Sequence, residues 1–435
     1  MRYFFDKNGP LISTYFLISI LFWIVFLIII PQLYMLDLSF RPNLPPLLRG
    51  GPEYLDIALK KNCIPTIENF MKIGSYNIAD SVIPSFTNPN NMSIVTGCPP
   101  SVHGICGNYL LDPDSGQEVM MNDVKFLRVP TIFKSFQEIN KKIGIITAKD
   151  KLRALLGAGL TINELNTKCF SSEKANSATL EINGIDNVER WLNMSIPDVY
   201  SAELSEFVFA SGLKLLEEWF PDVMYLSTTD YIQHKYAPED KEAIKFLTMI
   251  DNYLSEIIKF DVTIVITADH GMSAKHDKNG DPQIVFIQDF FDEVFGINST
   301  NVILPITDPY VVHHGALGSY ATIYLNEKEI YNEAFSKLKS LRGIDQICSK
   351  DEAVKRFDLP SDRIGDIVVT STEKITLGKT ESYHDLKSLK EPLRSHGGLS
   401  EQKVPFLINK PINLSLVKDL KNYDAFFYAC EASFN

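Results

Sequence analysis

Cysteine is scarce and scattered. The six cysteines (Cys63, Cys98, Cys106, Cys169, Cys348 and Cys430) show no CxxC spacing, which argues against a disulfide framework and leaves no thiolate zinc site. Basic excess is absent too. The 42 Lys and Arg against 54 Asp and Glu give a net charge of −12, with no local basic stripe, so a nucleic-acid partner would be repelled. There is no internal repeat and no low-complexity segment. Long apolar runs are missing as well, with one exception. "LISTYFLISILFWIVFLIII" (11–30) carries no charge and has the length of a hydrocarbon core. Arg2 and Lys7 precede it and no small-residue cleavage site follows, so the first reading is a retained signal anchor. A buried strand or helix and a wrongly assigned start are the alternatives. Sequons stand at Asn91, Asn193, Asn298 and Asn413, but the first lies inside a chemically rich motif where a glycan would block a site.

At 435 residues the chain accommodates one large domain with an insertion, or two domains. "RPNLPPLLRGGP" (41–52) reads as a linker or a strand-to-loop passage. Beyond it, short apolar runs alternate with helical patterns, which predicts an α/β fold with a mostly parallel sheet flanked by helices. Three runs matter: "KIGIITAKDK" (142–151), "DVMYLSTTD" (222–230) and "DVTIVITADHGM" (261–272). Each ends in polar residues, where ligands of open α/β sheets bind. Residues 278–390 differ in texture ("ATIYLNEKEI", "NEAFSKLKSLRG", "DRIGDIVVTS") and predict a small α+β insertion. The expected order is a hydrophobic segment with linker over 1–43, core over 44–277, insertion over 278–390 and returning core over 391–435.

Asp230 and His234 are spaced i, i+4, so one helical turn puts both on one face. Asp269 and His270 are adjacent at a strand end, and His396 stands in "RSHGG". Carboxylate with imidazole suits zinc, and would also accept manganese or iron. Each pair alone is weak, and a lone D-x-x-x-H is usually incidental. Three such elements at strand ends favour a two-metal site. Thr87, in "PSFTNPNN", then gains a purpose, because coordination to a metal favours its alkoxide. Asn88-Pro89 reads as a helix start, whose free amides favour a phosphoryl group. Without metal ligands Thr87 would read as a helix cap. Asn108 could donate to a phosphoryl oxygen. Lys149 and Lys151 would ordinarily be solvated loop charges, but beside an anion site they suit a second anionic group. His103 reads as local structure near the site, and His313 and His314 as residues that could reach over it. His276 and His384 read as surface or satisfied core histidines.

"SFTNPNNMSIVTGCPPSVHGICGNYLLDP", with "TAKDKLRALLG", "TDYIQHKYAP", "TADHGM" and "RSHGG", resembles the phosphonoacetate hydrolases of the alkaline phosphatase superfamily, related to nucleotide pyrophosphatases/phosphodiesterases. The resemblance runs from about Pro52 to about residue 410. It implies an alkaline-phosphatase-like core and a dizinc enzyme that splits phosphonoacetate into acetate and phosphate. Carried over by motif, Thr87 is the nucleophile and shares one zinc with Asp269 and His270. Asp230, His234 and His396 hold the other, Asn108 contacts the phosphoryl group, and Lys149 and Lys151 hold the substrate carboxylate. Residues 278–390 become the cap. A small-molecule phosphonate is the expected partner, no nucleic acid is expected, and a homodimer stays open. The resemblance implies a cytoplasmic protein, or a membrane-anchored one if residues 11–30 are a genuine anchor.

One departure stands out. The family has a further aspartate ligand at the end of its first strand, where this chain has Leu48, Arg49 and Gly50. Asp37 in "LYMLDLSF" substitutes only if the strand covers 32–37. A diverged or frameshifted start and an inactive membrane-tethered binding homologue are the other readings. A phosphodiesterase or phosphatase with another substrate also stays open, although the two lysines argue against it.

Overall fold

Each of the three apolar runs becomes a strand that delivers its polar end to one region. The computed structural model describes residues 52–306, 315–414 and 419–434. The hydrophobic run at 11–30, Asp37, Leu48, Arg49, Gly50, His313 and His314 lie outside the described residues. None of the described helices is long and apolar enough to cross a membrane.

Helix α1 (Glu53–Lys60) buries Tyr54, Leu55 and Ala58, and carries acidic residues in its first turn and Lys60 in its last, as the helix dipole favours. Helix α2 (Pro65–Ile73) starts on a proline, which costs no hydrogen bond there. The chain then forms β1 (Ser75–Asp80) and α3 (Thr87–Thr96). Strands β2 (Ile143–Thr147) and β3 (Thr167–Ser171) are buried at every position, whereas β4 (Val223–Ser227) and β5 (Val265–Thr267) are half-buried throughout. Helices α4 (Asp150–Leu156), α5 (Glu203–Glu218), α6 (Tyr231–Lys235) and α7 (Lys241–Ile257) separate them.

A second sheet follows, built from β6 (Thr300–Ile303), β7 (Tyr320–Leu325), β8 (Ile344–Ser349) and β9 (Ile367–Ser371) in the order β6–β7–β9–β8, all antiparallel. It has its own apolar core, where Ile287, Phe291, Ala334 and Leu338 pack on Val302, Ile323, Ile367 and Val369. The chain then returns as β10 (Lys403–Ile408).

The first sheet region consists of two groups of three strands. In one, β2 lies between β3 and β4, all parallel. In the other, β10 lies between β1 and β5 and runs antiparallel to both. Among the described residues no strand pairs with the free edge of β4 or of β5. Met224 and Leu226 of β4 and Ile264, just before β5, pack on one cluster with Phe209 and Leu216 of α5 and Ile257 of α7. Lys149, Asp230 and Asp269 follow the carboxyl ends of β2, β4 and β5, the edge where such sheets bind ligands.

Candidate metal centre

The cluster is assembled from three separate strand ends. Asp230 precedes α6 and accepts the first turn's closing bond from the His234 N–H at 3.0 Å. The i, i+4 spacing thus brings His234 Nε2 to 3.1 Å from Asp230 Oδ2. Beyond β5, His270 Nε2 lies 3.7 Å from that same oxygen and 3.6 Å from Asp269 Oδ2. His396 Nε2 completes the group at 3.6 Å from Asp230 Oδ2. The His270 and His396 rings stack with centroids 3.5 Å apart. All three histidines are buried.

Their protonation follows from the backbone. His234 Nδ1 lies 2.9 Å from the Arg394 carbonyl, His270 Nδ1 2.9 Å from the Gly271 carbonyl, and His396 Nδ1 2.8 Å from the Ser85 carbonyl. A carbonyl can only accept, so each neutral ring carries its proton on Nδ1. The three Nε2 atoms all face the carboxylate of Asp230, to which His234 is hydrogen-bonded, and in a neutral ring Nε2 is the nitrogen left to bind a cation. A bound cation would draw the carboxylate and these ring nitrogens into one coordination shell. His270 Nε2 is also a buried nitrogen without a hydrogen-bond partner. The donor atoms of Asp230, His234 and His396 lie within 4.8 Å of one another, close enough to share one ion. Burial, reinforced by the neighbouring His270 and His234, pushes His396 well below its ordinary pKa. Burial pushes Asp269 up, against the pull of His270. A neutral imidazole and a costly buried carboxylate both suit a cation.

Thr87 is the first residue of α3. The capping position belongs to Phe86, which is extended and offers no side-chain hydrogen bond, so the Thr87 hydroxyl does not act as the helix cap. Asn91 links Thr87 to the cluster: its Nδ2 donates to the Thr87 carbonyl at 2.9 Å and to Asp269 Oδ2 at 3.2 Å. Asn91 Oδ1 accepts from the Tyr225 hydroxyl at 2.8 Å. Asn108 stands beside the helix start, where its Oδ1 accepts from the Asn88 N–H at 2.9 Å and its Nδ2 donates to the Ile306 carbonyl. An amide has two N–H donors, so one remains for a ligand.

Lys149 caps the entry to α4 and turns toward residues 199 and 200. Its Nζ donates to the Val199 carbonyl at 3.2 Å and lies 4.9 Å from the centre of the Tyr200 ring. Burial lowers its pKa, while Glu173 and Asp230 oppose the shift. Lys151 is exposed in the first turn of α4. His103 is fully buried, and its polar partners are Ser93 Oγ, 2.8 Å from Nε2, and the Ile105 N–H.

Sequence reasoning missed Asn91, Ser85 and Arg394. Asn91 had a signal: it lies four residues after Thr87 on a helix that begins there. It is only 3% exposed, which also removes it as a glycan acceptor. Ser85 and Arg394 act through backbone carbonyls, which no side-chain motif reveals.

An α/β scaffold on which Asp230, His234 and His396 converge closely enough to share one ion has the form of a metal-dependent hydrolase. Residues 50–399 match the type I phosphodiesterase / nucleotide pyrophosphatase family, and the chain belongs to that family, within the alkaline phosphatase superfamily, as a hydrolytic enzyme. Within the superfamily it is similar to phosphonoacetate hydrolase. The structure of that enzyme from Sinorhizobium meliloti 1021 in complex with phosphonoformate is 55% identical, with a TM-score of 0.85 over 88% of this chain and 93% of the other. The same enzyme in complex with phosphonoacetate matches equally, at 55% identity and a TM-score of 0.85. Human bis(5'-adenosyl)-triphosphatase ENPP4 is 24% identical over 344 residues, which cover 75% of this chain and 65% of that protein. Murine ectonucleotide pyrophosphatase / phosphodiesterase 5, at 18% identity and a TM-score of 0.57 over 88% of this chain and 92% of the other, shares the fold.

Proposed function

We propose that this chain hydrolyses the carbon–phosphorus bond of phosphonoacetate to acetate and phosphate, through a phospho-threonine on Thr87 at a dizinc site. The carrying observation is the set of three histidines whose Nδ1 protons are held by carbonyls while their Nε2 atoms converge on Asp230. The 55% identity to phosphonoacetate hydrolase supports the substrate. Thr87, Asp269 and His270 form one ligand set, and Asp230, His234 and His396 the other. Catalytic zinc usually keeps three protein ligands besides the reacting group, so without the first-strand aspartate the Thr87 zinc, held by Asp269 and His270 beside the nucleophile, is the weaker of the two sites. Bound zinc would supply Lewis-acid stabilisation of the threonine alkoxide and the phosphoryl oxygens.

The chain's own groups account for the rest. Thr87 Oγ attacks phosphorus and forms the P–O bond while the C–P bond breaks. Its electron pair passes to the methylene carbon and spreads into the substrate carboxylate, which Lys149 and Lys151 neutralise. A solvent proton, equivalent to the one Thr87 releases on attack, converts that carbon to the methyl of acetate, and water then cleaves the phospho-threonine, releasing phosphate and restoring the Thr87 hydroxyl. The N-terminus of α3 and the remaining Asn108 N–H hold the phosphoryl oxygens. Residues 278–390 serve as the cap over this site. The test is an assay of protein lacking residues 1–40 on phosphonoacetate, with zinc counted per chain. Equal release of acetate and phosphate from protein holding two zincs is expected. Turnover of phosphodiesters with none of phosphonoacetate would overturn the substrate, and failure to hold zinc would overturn the metal reading.

A further inference from the structure

Outside the ligand cluster, Lys275 and Glu401 form an ion pair in which both side chains are 0% exposed, with Nζ 3.0 Å from Oε1. A buried pair contributes little net stability, because desolvating both charges cancels much of their attraction. Its position is more informative. The second carboxylate oxygen of Glu401 accepts the Gly398 N–H at 3.0 Å, two residues past His396. The Glu401 carbonyl accepts the Gly271 N–H at 2.7 Å, next to His270. Lys275 Nζ donates further to the Glu373 carbonyl at 2.7 Å, and its N–H donates to the Leu393 carbonyl at 2.8 Å.

Glu401 therefore holds both segments that carry the stacked His270 and His396 rings, the His396 segment through its carboxylate and the His270 segment through its backbone carbonyl. The grip extends to the threonine segment: the Ser85 hydroxyl donates to the Gly398 carbonyl at 2.9 Å, and the Ser85 carbonyl receives the His396 Nδ1 proton. Lys275 anchors Glu401 from below, so the carboxylate cannot rotate away from Gly398 without abandoning a buried ammonium. We infer that Glu401, its carboxylate locked by Lys275, is a positioning residue that fixes His396 against His270 at metal-binding separation. This inference rests on the metal reading given above.

Removing one charge alone would strand the other in the core and threaten folding. Two neutral double variants avoid this. Lys275→Met with Glu401→Gln keeps an acceptor for Gly398, whereas Lys275→Met with Glu401→Leu does not. Each is purified folded, by circular dichroism, and its zinc affinity is measured by dialysis against a competing chelator. The Leu double variant should lose about 10- to 100-fold in zinc affinity, the range seen when groups supporting metal ligands are removed. The Gln double variant should stay within about threefold of wild type on the same scale. Equal affinity in both variants, whether preserved or lost, overturns the positioning role while a zinc-holding wild type keeps the metal reading intact. A wild type that holds no zinc overturns both.

Discussion

At the scale of the residue, Thr87 is the clearest test, because no second hydroxyl shares its place at the start of α3 in the ligand set proposed here. Thr87→Ala should lower kcat on phosphonoacetate by at least about 10³-fold, since a positioned nucleophile is not replaced by free water. Turnover within tenfold of wild type, measured by phosphate release, would remove Thr87 from that role. The lysines test a different part of the reaction. Lys149→Ala with Lys151→Ala should raise KM for phosphonoacetate by about 10²-fold or more while zinc content stays unchanged, because these groups meet the substrate carboxylate and not the metal. A wild-type KM in that double variant would end the carboxylate-clamp idea.

At the scale of the element, the site depends on how α3 is tied to two strands. Asn91 accepts from Tyr225 in the middle of β4 and donates to Asp269 beyond β5, so one amide joins the helix to both strands. Asn91→Ala would leave the Tyr225 hydroxyl buried without this partner and free the Asp269 carboxylate to turn. The expected cost is about 1–3 kcal/mol in urea denaturation, the penalty for an unpaired buried donor. Zinc affinity should fall with it, and an unchanged denaturation midpoint would show that the bridge carries no load. The strands were legible in advance because the runs before Lys149, Asp230 and Asp269 are apolar and end abruptly in polar residues. The i, i+4 spacing of Asp230 and His234 likewise needed only one helical turn. What stayed hidden were partners far apart in sequence: Asn91 lies 178 residues from Asp269, His396 lies 311 from Ser85, and Glu401 lies 126 from Lys275. Local periodicity carries no information about such pairs. The antiparallel course of β10 was equally hidden, since an apolar strand reads the same in either direction.

At the scale of the whole molecule, several buried histidines make folding sensitive to acid. His103 accepts the Ile105 N–H on Nδ1 at 3.1 Å and gives its proton to Ser93 through Nε2, so the folded ring has no place for a second proton. Burial pulls its pKa down to about 3. His384 is lowered by burial as well, with Nε2 accepting the Lys379 N–H at 2.9 Å. In the unfolded chain each histidine takes up a proton near pH 6.5. Below that value the unfolded state binds more protons than the folded one, so stability falls as pH falls. For His103 the contribution is fully present above about pH 6.5 and drains away down to its folded value, at up to about 1.4 kcal/mol per pH unit. The metal-free protein should therefore lose unfolding free energy steadily between about pH 6.5 and pH 5, measured by urea denaturation in excess chelator so that proton release on metal binding adds nothing. His103→Asn keeps an oxygen to accept the Ile105 N–H but cannot titrate. Its stability should depend on pH less steeply than wild type, by about one histidine's share of the slope. An unchanged slope would mean that His103 takes up its proton in the folded protein, and that the acid sensitivity arises elsewhere in the core.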